Sequence, residues 1–180
     1  PSTEQLISEF TTVYPNVKHV AYDAISESGT ADAFEAMFGE RAVPNYHFDE
    51  AHTIVSFGAD FIGDWQGGFE KGYAASRNPD SGHMSYLVQF EANMSLTGAN
   101  ADKRVVTKPS DQVFALLNLY NTITGASLPS KATPVDAHIK EVAVALKKSG
   151  SHGVVVSGSS DKNAQLIAFA INDALQSVVF

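Results

Sequence analysis

The chain has 180 residues, 44 % hydrophobic and 18 % charged, with 20 Asp and Glu against 12 Lys and Arg and a net charge of −8. That length can bury a substantial core within one domain. The scattered basic residues argue against a nucleic-acid surface, which needs clustered Lys and Arg, and no run of about 18 apolar residues provides a membrane span. Cysteine is absent, which excludes disulfides, a thiolate nucleophile, a Cys-ligated iron–sulfur cluster and a Cys zinc site within these residues.

Taken in order, Ser2, Thr3 and Glu4 ahead of Leu6, Ile7 and Phe10 predict a first helix, which Tyr14-Pro15-Asn16 stops. Residues 17–22 (VKHVAY) read as a short strand, with His19 within it and Asp23 just after it. Residues 26–38 place Ala33, Phe34, Met37 and Phe38 at helical spacing before Gly39. A connecting loop, 43–49, then leads to the stretch HTIVSFGADFIGD at 52–64. Its apolar run Ile54-Val55 passes through Ser56 and Phe57 into Gly58, as a buried parallel strand does when it delivers the chain to a loop at its carboxyl end.

Beyond it, residues 65–76 predict a helix weakened by Gly67, Gly68 and Gly72. A turn cluster follows at 78–82, then a strand over 84–90, a polar loop over 91–102 and a short strand over 103–107. Ser110 and Asp111 are candidate caps for a helix running through Phe114, Leu116, Leu117 and Leu119 to Gly125. After a linker at 128–133, a helix from Pro134 carries Ile139, Val142 and Leu146 to Gly150. GVVVS at 153–157 is a buried strand, and 158–161 opens a helix over Leu166, Ile167, Phe169 and Ile171. The apolar tail 177–180 reads as a closing strand cut at its end, and with Pro1 as the first residue the expectation is a piece of a longer protein. Alternating strands and helices imply βαβ units and a Rossmann-like three-layer α/β/α sandwich with a mostly parallel sheet.

Two loops are candidates for binding at a helix amino terminus, 58–64 and 158–161. Neither is GxGxxG or a P-loop. Ser and Asp in the second suit simple capping. In the first, Asp60 repels a phosphate but suits a ribose or a base, unless the loop only turns the chain. Glu91 ends a later strand, where an acid can accept from a ribose or base edge as in dinucleotide folds. The small polar side chains of 93–100 either line a cleft or satisfy their own backbone. The six histidines, His19, His47, His52, His83, His138 and His152, show neither HxH nor HxxxH spacing, so no metal site is expected. Without a GxSxG elbow, Ser56 is expected to pack at its strand end, and no catalytic residue emerges. Trp65, with Phe61 and Phe69, reads as a packed aromatic group.

Together, SFGADF at 56–61 and SLTGANADKRVVTKPSD at 95–111 resemble the nucleotide-binding α/β domain of molybdopterin oxidoreductases. The resemblance spans about 17–120 and is carried by the Ser56–Gly58–Asp60 loop, the strand-end Glu91, the Thr97–Gly98–Asp102 stretch, Val105-Val106 and Pro109-Ser110-Asp111. YDAIS, YHFDEAHTIVSFGADF and SLTGANAD are more similar still to the molybdopterin-like region of the iron–sulfur subunit of bacterial alternative complex III, a quinol-oxidising electron-transfer complex.

That resemblance implies Ser56, Gly58, Asp60, Glu91, Thr97, Gly98 and Asp102 as cofactor-binding or vestigial positions. It implies a bacterial parent on the periplasmic side of the inner membrane, iron–sulfur clusters elsewhere in that chain, and partners among its other domains and the respiratory subunits. Pro109-Ser110-Asp111 lacks the family's Gly-Thr pair and Asp60 replaces its usual asparagine, so the expectation is a scaffold without cofactor. The alternatives are a domain holding molybdopterin guanine dinucleotide and, further off, an independent nucleotide-binding protein.

Overall fold

A computed structural model describes residues 2–22, 26, 28–65 and 67–180. Asp23, most of YDAIS, Glu27 of the expected second helix and Gln66 of the expected third lie outside these.

Four strands form one parallel sheet: β1 (Thr53–Phe57), β2 (Tyr86–Glu91), β3 (Lys103–Val106) and β4 (Gly153–Ser157), in the order β3-β2-β1-β4. Ser56 pairs with Gln89 on one side and Val156 on the other, and Phe57 pairs with Phe90 and Ser157. Every residue of β1 and β4 is buried, which is why TIVSF and GVVVS read as continuous runs instead of alternating ones. Helices α5 (Pro109–Thr124), α6 (Asp136–Ser149) and α7 (Lys162–Leu175) cover the face that carries Val55, Phe57, Val88 and Val155. The opposite face, with Ile54, Leu87, Val154 and Val156, packs under Tyr46, Phe48, Phe61 and Tyr73 of helix α3 (Phe69–Ser76). The three-layer α/β/α expectation holds.

Both sheet edges are protected, as exposed strand edges must be in a stable monomeric fold. β3 is short and carries Lys103 and Arg104. At β4, the Asn172 side chain on α7 accepts from the Val155 N–H at 2.7 Å and donates to its carbonyl at 2.8 Å. The chain leaves β1 for β2 on one side and returns from β3 through α5 and α6 to β4 on the other. The strand order therefore reverses between β1 and β4, the place where open α/β sheets form a crevice.

Several expectations are corrected. Helix α1 (Ser2–Val13) forms but has no buried residue, and residues 17–22 are exposed and form no strand. Residues 177–180 do not form a strand either. Two hydrogen bonds, His47 N–H to the Val179 carbonyl and Val178 N–H to the Ser151 carbonyl, hold them beside β4. Helix α3 starts only at Phe69, because Gly67 and Gly68 take φ of +126° and +81°. The polar loop 91–102 contains a one-turn helix, α4 (Leu96–Ala99), capped by Ser95. Pro109 opens α5 without any side-chain cap from Ser110 or Asp111. Helix α2 (Ser28–Phe38) packs against α7 through Phe34 and Phe169.

Candidate functional site

The carboxyl ends of β1 and β2 gather the residues that the sequence marks out. After Phe57 the chain turns at Gly58, with φ +69°, and the buried Ala59 carbonyl accepts from the Ser56 hydroxyl and the Gln89 amide, both at 3.2 Å. Asp60 then meets the first turn of α4. Its Oδ1 accepts from the Thr97 N–H at 2.9 Å, the Thr97 hydroxyl at 2.8 Å and the Gly63 N–H at 3.2 Å, and its Oδ2 accepts from the Leu96 N–H at 3.4 Å. Burial alone pushes the Asp60 carboxyl up, but these donors outweigh it and hold the group below the usual carboxylate range.

Glu91 is 3 % exposed at the end of β2. It accepts from the Ser95 hydroxyl at 2.6 Å, the Ser95 N–H at 3.2 Å and the Gln89 amide at 3.1 Å, and it pairs with Arg104. Burial again raises its pKa, and again the donors prevail and leave it lowered. Gly98 is required beside it, since a Cβ there would stand 1.9 Å from Glu91 Oε1. Asp102 accepts from both terminal nitrogens of Arg77, at 2.9 and 3.0 Å, and from the Leu87 N–H at 2.8 Å. Ser56, Gly58, Asp60, Glu91, Thr97 and Gly98 thus sit at the carboxyl end of β1 and β2 without lining an open cleft, whereas Asp102, just ahead of β3 and bonded to Leu87 at the start of β2, lies at the opposite, amino end of the sheet. Ser56 and Thr97 are fully buried, and each acid is saturated by donors of its own chain. The second expected loop behaves as a cap: Asp161 accepts from the Asn163 and Ala164 N–H groups at 2.9 Å, closing the amino end of α7 to an anion.

Beside this cradle, at the β1–β4 crevice, lies a cavity of about 280 Å³. Its floor is set by glycine: a Cβ on Gly158 would stand 2.3 Å from the Gly58 carbonyl oxygen, so only glycine lets the two loops meet. Tyr46, Trp65 and Phe69 form its wall. The Tyr46 and Trp65 rings are 5.7 Å apart at 29°, and Phe69 meets Trp65 edge-on at 5.7 Å. Opposite, Gln165 on the first turn of α7 donates to the Ser157 carbonyl at 2.9 Å and the Ser159 carbonyl at 2.6 Å. Those two bonds fix its amide orientation and leave Oε1 buried without a donor. Tyr46 is 6 % exposed, its hydroxyl has no hydrogen-bond partner among the described residues, and burial pushes its pKa well above the ordinary phenol range. No basic residue lines this cavity among the described residues, and the exposed Asp64 stands at its mouth.

Sequence reasoning passed over Tyr46 and Gln165. One signal was present: Gln165 falls on the same stripe of α7 as Phe169 and Asn172, a polar residue on a buried helical face. At the amino end of the sheet the structure also stacks His52 against His83 and His152, with ring centroids 3.9 and 4.5 Å away. Burial and the two neighbouring imidazoles lower the His52 pKa. No group of three potential ligands converges on a metal position among the described residues. The chain matches no protein-family model and no curated protein sequence.

Proposed function

We propose that this chain is a non-catalytic, molybdopterin-oxidoreductase-like domain acting as a scaffold within an iron–sulfur subunit of a membrane-associated quinol-oxidising complex. The family assignment rests on the resemblance of the 56–61 and 95–111 loops. The observation that carries the scaffold role is saturation of the cradle: Asp60 and Glu91 each accept from several donors of this chain, and Gly98 touches Glu91 so closely that nothing fits between them. A carboxylate offers about four acceptor sites, and Asp60 and Glu91 each hold four donors, so a ribose or base edge has to displace one and leave it unpaired. Exposed apolar side chains on residues 6–22, including Phe10, Tyr14 and Val20, are surface of the kind that packs against neighbouring domains or subunits. No helix among the described residues is long and apolar enough to cross a membrane.

The test is a thermal-shift titration with GMP, GDP and NAD, with molybdenum analysis of the same sample. A ligand at about 100 times its dissociation constant adds roughly 2.7 kcal/mol, which for a domain of this size is roughly 5–10 °C. The expected result is no guanine-dependent shift and no molybdenum. A guanine-specific shift or stoichiometric molybdenum favours the alternative, a domain that still holds molybdopterin guanine dinucleotide.

A further inference from the structure

We propose that the cavity at the β1–β4 crevice is a binding site for a small, uncharged, planar heteroaromatic molecule of two fused rings, independent of the saturated cradle beside it. The size follows from the volume. About 280 Å³ lies at the small end of ligand pockets, which run from about 300 to 1,000 Å³, and has room for a bicyclic ring.

The shape and polarity follow from the wall. Tyr46, Trp65 and Phe69 present aromatic surface on one side, suited to the face or edge of a second π-system. The polar groups are few, and several are unengaged. The Tyr46 hydroxyl has no partner among the described residues, and Tyr46 lines the cavity. Thr30 also lines the space, and its hydroxyl is without a partner among the described residues, whereas Gln165 Oε1 is sealed from the cavity. A ring bearing both an N–H and a lone-pair nitrogen answers both hydroxyls, each of which donates or accepts. Charge selects against an anion: no Lys or Arg lines the space among the described residues, Asp64 stands at its mouth, and Asp161 already occupies the α7 amides.

Trp65 is the only tryptophan of the chain, so its emission, excited beyond the absorption of a purine, reports occupancy directly. Adenine is the probe, followed by Trp65 fluorescence and by calorimetry on the whole chain, with AMP as the anionic comparison. The expected result is saturable one-to-one binding with a dissociation constant below about 1 mM, within the range open to about ten heavy atoms. Tyr46→Phe, which keeps the ring and its packing, should weaken adenine about three- to tenfold, and Thr30→Val should weaken it by a smaller factor, with melting temperatures confirming that both variants fold. AMP should bind at least tenfold more weakly. No saturable change with adenine overturns the site, binding indifferent to both variants places the ligand elsewhere, and AMP binding as tightly as adenine overturns the uncharged class. A nucleotide held by the cradle would be insensitive to Tyr46→Phe, so this test and that of the scaffold reading fail separately.

Discussion

Two polar regions share the carboxyl edge of the sheet and are finished differently. At the β1–β2 end, the half-buried Asp60 and the buried Glu91 are charges with a full set of donors, and their lowered pKa values express how completely those donors offset desolvation. At the β1–β4 end, Tyr46 and Gln165 are uncharged and each retains an unpaired oxygen, the Gln165 one sealed, beside a cavity that both residues line. A charge left unpaired in the interior is far more costly than an unpaired hydroxyl or amide. The two carboxylates therefore have to be satisfied within the chain, whereas neutral groups at either end, Gln89 Oε1 in the cradle and Gln165 Oε1 beside the cavity, can stay unpaired. Strand-end acids alone are thus a poor guide to a ligand, and the neighbouring neutral groups are the better one.

That contrast is open to direct attack. The largest effect is expected from Gly98→Ala, whose Cβ would stand 1.9 Å from Glu91 Oε1. Relieving it means breaking the Ser95 and Arg104 contacts, so a loss of about 3 kcal/mol is expected in denaturant unfolding; a neutral outcome would show that the cradle is loose enough to admit a ligand. Glu91→Gln follows, with a loss of about 2 kcal/mol, because the amide cannot accept from Ser95, Gln89 and Arg104 together.

Asp60→Asn should cost about 1 kcal/mol near neutral pH, since an amide oxygen can still serve Thr97. Its clearer effect is on pH dependence. Asp60 and Glu91 have lowered folded-state pKa values, so their stabilisation is present above the unfolded values near about 4 and is lost as pH falls through the folded ones. Melting curves from pH 5 downward should therefore be flatter for each variant than for the native chain. Tyr46→Phe is the smallest change: within about 0.5 kcal/mol of native stability, because the hydroxyl it removes has no partner among the described residues. A loss of the size seen for Glu91→Gln would mean that the cavity is as complete as the cradle.

The alternation of strands and helices was legible because β1 and β4 are unbroken apolar runs and α5 and α6 end at Gly125 and Gly150, both with positive φ. The grouping of Ser56, Asp60, Glu91 and Thr97 was legible too, since parallel strands put successive loops at one end of the sheet. Residues 17–22 and 177–180 misled because β-patterning records a preference for a pleated, half-buried surface and does not supply a partner strand. The histidine stack was invisible for a related reason: His52, His83 and His152 come from three separate segments, and local spacing carries no information about that approach.

What the sequence by itself determined is therefore the layer architecture and which loops meet at the carboxyl edge, because hydrophobic period and turn chemistry are local properties. Only the tertiary structure decided that Asp60 is satisfied by Leu96 and Thr97 and Glu91 by Gln89 and Arg104 as well as Ser95, while Tyr46, Trp65 and Gln165 line a space. Satisfaction of a polar group depends on the distance and direction of atoms remote in the chain, and those are settled only when the sheet and helices pack.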